Sequence, residues 1–148
     1  NGNWTQVGGD IDVNSGGTSD ESGFAISLSN EGDMIAVGAP GASGLAGPST
    51  GRVSIFQNQN RQWVKVGQDI EGTQQNDRIG VSVGLNGNGT VVVVGSDTHN
   101  PGLGFGTGKV QVYSYGSGSG GIRWNQVGQT VTGGTAGEGF GFSVAISE

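Results

Sequence analysis

Cysteine is absent from the 148-residue chain, histidine occurs once and proline occurs three times. Without cysteine there is no disulfide framework, but a large β array needs none, so this absence says little about compartment. Only six residues are Lys or Arg and the net charge is −6. Nucleic acids and anionic membrane surfaces both require a basic patch, so neither is expected as a partner. No apolar run approaches the roughly 18 residues of a membrane helix, and we predict no membrane insertion.

Glycine is abundant instead, with 33 residues that punctuate alternating runs of Val and Ile. Alternation with a period of two is typical of β-strands, and no window has the spacing of an amphipathic helix. We therefore predict an all-β fold with glycine-rich turns. The chain starts at Asn1 with neither methionine nor a signal sequence, so we expect a piece of a longer protein.

A Trp-x-x-Val-Gly segment occurs at residues 4–8, 63–67 and 124–128. The spacing is 59 residues from Trp4 to Trp63 and 61 residues from Trp63 to Trp124. Further glycines recur in step with it, namely Gly23, Gly80 and Gly141 before an alternating run, and Gly38 and Gly95 after a second run. A period of about 40–60 residues with several short strands in each unit is typical of propeller blades and other stacked β arrays.

Each unit is predicted to contain four strands. The predicted strands are residues 24–29, 34–39, 52–57 and 63–70 in the first unit, and residues 81–85, 91–94, 109–115 and 124–131 in the second. Lone strands at residues 4–11 and 142–147 bring the total to about ten. The corresponding divisions are residues 1–22 as the end of a preceding unit, 23–71 and 80–132 as complete units, and 140–148 as the start of another.

The unit resembles the FG-GAP repeat, the blade of integrin-α-type β-propellers, which is named for Phe-Gly at the first strand and Gly-Ala-Pro after the second. Phe140-Gly141 carries the first half and residues 38–40 carry the second. Ile79-Gly80 is a conservative variant, whereas Ser22-Gly23 and residues 95–97 depart from the pattern. The resemblance covers essentially the whole chain. It implies an incomplete β-propeller of four-stranded antiparallel blades, with about two and a half blades present.

A closed propeller has typically four to eight blades, so the resemblance implies exposed blade faces and unpaired edges. The expected partners are other copies or the remainder of a longer repeat chain, with an extracellular protein or glycan as ligand. The resemblance implies a non-catalytic structural or adhesive segment, located outside the cell or at its surface. Two alternatives stay open: a calcium-dependent ligand-binding module of integrin-α type, and an accessory propeller of a secreted hydrolase. Any ligand is expected at the variable loops, residues 40–50 or 97–107.

One acidic segment has the oxygen spacing of a calcium loop, with Asp10, Asp12, Asn14 and Glu21 at its first, third, fifth and twelfth positions. Ser15 stands where the sharp turn of such a loop requires glycine. The corresponding residues of the other units indicate that the segment is mainly a strand end. We therefore predict no metal site and no cofactor, with calcium at these four residues as the open alternative.

No catalytic constellation is evident, and we predict that the chain is not an enzyme. His99, the sole histidine, is predicted to be a solvated loop residue without an orienting carboxylate. Residues 116–121 match a glycine-rich nucleotide fingerprint by composition alone, because another strand follows them where a helix is required. The tryptophans are predicted to pack between units. Two glycosylation sequons begin at Asn3 and Asn88, of which Asn88 is preferred because it lies on a turn tip.

Overall fold

The computed structural model describes residues 2–13, 19–99 and 106–147. These residues contain nine β-strands and no helix, so the predicted all-β class is confirmed. It also follows that none of these described residues lies in a helix able to cross a membrane. The strands are β1 (Ala25–Leu28), β2 (Met34–Ala39), β3 (Arg52–Gln59), β4 (Gln62–Lys65), β5 (Ile70–Glu71), β6 (Ser82–Leu85), β7 (Val91–Ser96), β8 (Lys109–Gly118) and β9 (Gly121–Thr132).

The strands form two antiparallel sheets. Sheet I has the order β1-β2-β3-β4, with β5 also paired to β3, and sheet II has the order β6-β7-β8-β9. Their registers correspond: Ile26 pairs with Val37 in sheet I, and Val83 pairs with Val94 in sheet II, 57 residues further along in each case. Consecutive strands are therefore neighbours from β1 to β4 and from β6 to β9, as expected for chains of hairpins.

The last hairpin differs in length between the sheets, so corresponding residues are 57 apart before its turn and 61 apart after it. Gln59 pairs with Gln62 across a two-residue turn, whereas Gly116, at the corresponding position, pairs with Arg123. The second hairpin is thus four residues longer. In the shorter turn, Asn60 and Arg61 have φ of 53° and 65°, as a tight hairpin of matching twist requires.

The predicted fourth strand of the first unit, residues 63–70, is wrong as a continuous strand. Sheet I divides it into β4 and β5, with residues 66–69 between them. Gly67 has a φ of +73°, which turns the chain out of the ladder at this point. Sheet II contains a similar glycine, Gly128, but there β9 stays continuous and a register shift opposite Val110 and Val112 absorbs the irregularity.

The lone strands predicted at residues 4–11 and 142–147 are also wrong: the described parts of both segments form no strand. A strand needs a neighbouring chain to satisfy its backbone N–H and C=O groups, and no described strand pairs with either segment. Both nevertheless lie against a sheet. The carbonyl oxygen of Val7 accepts a hydrogen bond from Trp63 Nε1, and Ile146 lies against β6, where its Cγ2 would be 3.4 Å from a Cβ added to Gly84.

The main hydrophobic core lies between the sheets. Sheet I contributes Met34, Ala36, Val53, Ile55 and Ile70, and sheet II contributes Val83, Leu85, Val92, Val94 and Trp124. A second cluster covers the other face of sheet I, where Val13 of the N-terminal segment packs with Val37 and Phe56. Sheet II therefore covers one face of sheet I, whereas the N-terminal segment covers only the part of the other face around Val37 and Phe56.

Two glycines permit close backbone contact at corresponding places. A Cβ added to Gly38 at the end of β2 would collide with the carbonyl oxygen of Gly80, and a Cβ added to Gly95 would collide with that of Gly141. Gly38 and Gly95 thus lie in close backbone contact with the glycine that begins the next unit. Any side chain there would push the following segment away from the sheet.

Candidate functional site

Strand β1 exposes a row of large apolar side chains. Phe24, which immediately precedes it, and Ile26 and Leu28 within it are 54, 61 and 53% exposed. Alternate residues of a strand point to the same face, so the three side chains form one surface, which we call the β1 face. Exposed apolar surface of this kind, contiguous and not scattered, is a mark of an interaction site.

The residues corresponding to the β1 face in sheet II are buried. Val81, Val83 and Leu85 lie 57 residues after Phe24, Ile26 and Leu28 and are only 5, 9 and 6% exposed. Sheet I covers Val83 and Leu85, which belong to the core between the sheets, since β6 packs against both β1 and β2. The same positions are therefore an interface in one unit and a bare surface in the other.

The opposite end of the molecule repeats this contrast. Val131, in β9, is 56% exposed, whereas its counterpart Ile70 is 3% exposed because it packs against sheet II. Val127, in the same strand, is 50% exposed and lies on the same side of the sheet, opposite Val112 as Val131 lies opposite Val110. We call Val127 and Val131 the β9 face.

The three repeated tryptophans occupy graded positions. The indole N–H of Trp124 donates to the carbonyl of Val66 at 2.8 Å, and that of Trp63 donates to the carbonyl of Val7 at 3.0 Å. Trp63 and Trp124 thus each bond the Trp-x-x-Val-Gly segment of the preceding unit. Trp124 is 2% exposed and Trp4 is 102% exposed. The predicted packing between units is confirmed for Trp124 and, in part, for Trp63. Trp4 is fully exposed and packs against no other unit among the described residues.

A buried ion cluster, which was not predicted from the sequence, joins the segment before β6 to the start of β8. Asp77, on the segment that leads into β6, accepts hydrogen bonds from Lys109 Nζ at 2.6 Å and from backbone N–H of Thr73 at 2.9 Å. Its other oxygen lies 2.5 Å from Nδ1 of His99. The prediction that His99 is a solvated residue without a carboxylate partner is wrong: the ring is buried beside Asp77.

The charge state of this cluster follows from competing effects. Burial raises the pKa of Asp77. The hydrogen bond and the positive charge of Lys109, together with the hydrogen bonds from Thr73 and His99, lower it by more, so the pKa lies below its ordinary value of 3.8. Burial, helped by the negative charge of Asp77, raises the pKa of Tyr113 above 10.0. Asp77 is therefore an ionised carboxylate that compensates the buried Lys109 cation.

A sequence signal for Asp77 exists in retrospect. It stands three residues before Gly80, just as Glu138 stands three residues before Gly141. Glu138 accepts the backbone N–H of Gly134 at 2.7 Å, as Asp77 accepts that of Thr73. An acidic residue at this place therefore closes the turn before each of these two segments, and in sheet II it also binds Lys109.

The calcium-loop candidates are not brought together as a described group. Asp10 accepts a hydrogen bond from Gln6 at 2.9 Å, and Glu21 forms an ion pair with Arg78 at 3.4 Å. Asp12 lines a small polar cavity beside Arg52 and Lys65, and Asn14 lies outside the described residues. Within the described ranges, no three His, Asp or Glu side chains converge as a metal site would require.

The turns at one end of the two sheets meet. The backbone N–H of Asn30 donates to the carbonyl of Gly87 at 2.9 Å, so the β1–β2 turn touches the β6–β7 turn. Asn30, Glu31 and Asn88 are among the residues lining a shallow cleft of about 360 Å³ between them. Asn3, the other sequon asparagine, is exposed beside Trp4.

No protein-family model matches the sequence, and the search of curated proteins finds no match either.

Proposed function

We propose that the chain is a non-catalytic structural or adhesive segment of an extracellular protein, in which FG-GAP-type units stack as the blades of a β-propeller-like array. The proposal rests on one observation above all, the contrast between the exposed β1 face and its buried counterparts on β6. Burying a large apolar side chain completely stabilises an association by about 1.5–3 kcal/mol. A face with three half-exposed side chains therefore offers a substantial driving force.

The partner we propose for the β1 face is another unit of the same kind, from the same polypeptide or from another copy. The supporting evidence is internal: sheet I is such a unit, and it covers Val83 and Leu85 in sheet II. Residues 2–13 extend the argument. The carbonyl of Val7 accepts a hydrogen bond from the indole of Trp63, just as the carbonyl of Val66 accepts one from the indole of Trp124. This segment therefore lies where the outer strand of a neighbouring unit would lie.

The ion cluster supports a structural role over a catalytic one. Lys109 Nζ and His99 Nδ1 are both engaged by Asp77, and the turn at Thr73 uses the same carboxylate. A paired and buried group of this kind holds one chain segment against another. Here it joins the segment entering β6 to the start of β8. An extracellular protein or glycan remains the ligand class we propose for the loops.

Oxidative surface labelling tests the assembly. Hydroxyl radicals would be applied to the isolated chain and to the protein as recovered from its source, and the labelled residues would be identified by mass spectrometry. Ile26 and Ile122 form a matched pair, being 61 and 67% exposed, but only Ile26 lies on the β1 face. We expect equal labelling in the isolated chain, and strong protection of Ile26 alone in the native protein.

Chemical cross-linking identifies what covers the face. A cross-linked peptide that contains a Trp-x-x-Val-Gly segment would support a unit of the same kind. Ile26 labelled as heavily as Ile122 in the native protein, or a cross-link to a protein without such units, would overturn the proposal.

A further inference from the structure

The turn between β6 and β7 presents an asparagine in a fixed conformation. Asn88 and Thr90 are exposed, but Gly89 between them is buried and has a φ of +72°. A Cβ on Gly89 would come within 2.6 Å of Cγ of Met34, so the turn is seated on sheet I. The tip of the turn is therefore solvent-accessible, while its backbone is fixed against sheet I.

The hydrogen bonds of the Asn88 side chain converge on one atom. Oδ1 accepts from Thr90 Oγ1 at 2.5 Å, from Asn86 Nδ2 at 2.8 Å and from the backbone N–H of Thr90 at 3.2 Å. Three donors identify this atom as the amide oxygen. Nδ2 makes no hydrogen bond to the described residues, so the amide nitrogen is left to solvent.

We propose that Asn88 carries an N-linked glycan. Asn88-Gly89-Thr90 is an acceptor sequence, for which an exposed loop is the required setting. The inference rests on the proposed extracellular role, because transfer uses a lipid-diphosphate-linked oligosaccharide of the secretory pathway. A bond forms between Nδ2 and the anomeric carbon of the first sugar, and the bond from that carbon to the phosphate oxygen breaks. The lipid diphosphate leaves with the electron pair, and a base of the transferase takes the amide proton.

The hydroxyl of Thr90 has a direct part in this site. Its hydrogen bond to Oδ1 polarises the amide and makes the N–H of Nδ2 more acidic, which favours the loss of that proton. The cleft beside Asn88 is lined by polar residues, among them Glu31. These side chains suit the hydroxyl groups of the first sugar.

The second sequon is not expected to be used. Asn3 is next to Trp4, and Trp63 and Trp124, which occupy the corresponding position in later units, bond the neighbouring segment through their indole groups. A glycan on Asn3 would lie where we propose that a neighbouring unit docks. Sheet I also lacks a sequon at the corresponding turn, because Glu31 and Asp33 stand at the positions of Asn88 and Thr90.

Secretion of the chain from eukaryotic cells, behind a signal peptide, tests the site. We expect one glycan on the wild-type chain, seen as a mass shift that an N-glycan-releasing amidase removes. The shift should persist in Asn3→Gln and Thr90→Ser and should disappear in Asn88→Gln. It should also disappear in Thr90→Val, which keeps the side-chain shape but removes the hydroxyl group. Peptide mapping after release should show aspartate at position 88.

A transplanted sequon provides the positive control. The double substitution Glu31→Asn with Asp33→Thr places the same acceptor sequence on the corresponding turn of sheet I and should add a second glycan. Secreted wild-type chain without a glycan at Asn88, while the transplanted site is modified, would overturn the inference, as would a shift abolished by Asn3→Gln. The added signal peptide directs secretion, and the measurement concerns Asn88 alone. The result is therefore independent of the labelling of Ile26, which tests the proposed assembly.

Discussion

The three tryptophans occupy the same place in the repeated segment but should contribute differently to the free energy of unfolding. We expect Trp124→Phe to lower the free energy of unfolding by about 1–3 kcal/mol, because the carbonyl of Val66 loses its indole donor in a buried place. Trp63→Phe should cost less, since Trp63 is only partly buried, and Trp4→Phe should change nothing in the isolated chain. Urea denaturation of the three variants measures the order, and equal losses would contradict the graded packing.

Asp77 is the other residue whose removal should be costly. Asp77→Asn leaves Lys109 as a buried cation without a counter-charge, and we expect a loss of about 3–5 kcal/mol. Glu138→Gln is the matched control, because Glu138 closes the corresponding turn but is exposed. It should cost less than about 1 kcal/mol. Chemical denaturation measures the unfolding free energy of both variants. Equal losses in the two would disprove the role of the cluster.

The pH dependence of stability should report the same carboxylate. The pKa of Asp77 is lowered in the folded state, so its contribution is complete above the pKa of the unfolded chain and is lost as pH falls through the folded-state value. The difference in unfolding free energy between wild type and Asp77→Asn should therefore be constant near neutral pH and should shrink below about pH 4. A difference that grows on acidification would contradict the sign.

At the scale of elements, substitutions of the glycines before β1 and β6 allow the cost of backbone strain to be distinguished from the cost of a steric clash. Gly23 and Gly80 have φ of +85° and +94°, but a Cβ on Gly23 would meet nothing within 4 Å, whereas one on Gly80 would lie 2.8 Å from the carbonyl oxygen of Arg52. Gly23→Ala should cost about 1–2 kcal/mol from the left-handed backbone alone.

Gly80→Ala should cost more than Gly23→Ala, because the contact between β6 and sheet I must also open. Thermal unfolding of the two variants measures the difference. The same melting temperature for both would show that close approach at Gly80 contributes nothing.

The sequence predicted elements well where two apolar runs pair with each other across a short turn, as in the first hairpin of each sheet. β2 was predicted with its observed ends, and the first strand of each unit was placed to within a residue at each end. It failed at residues 63–70 and at the two lone segments. Apolar alternation records which side chains are covered, whereas a strand also needs backbone partners, and those depend on which neighbours exist.

At the scale of the whole molecule, two bare apolar faces predict association of the isolated chain. We expect the sedimentation coefficient of the wild-type chain to rise with concentration, because the β1 face is apolar and exposed. Ile26→Lys should suppress this rise, since a charge would have to be buried on contact. Ile122→Lys, a matched exposed site off both faces, should leave it unchanged. Suppression by both variants alike would indicate non-specific association.

The sequence by itself determined the β class, the order of hairpins and the glycines at the contact between sheets, because these depend on local alternation and on recurring spacing. Only the tertiary structure decided which equivalent residues are buried, since Ile26 and Val83 have similar sequence settings and differ in what packs over them. It also brought His99 and Lys109 to Asp77 across separations of 22 and 32 residues. Such contacts depend on how the sheets fold back on the connecting segment, which no local pattern records.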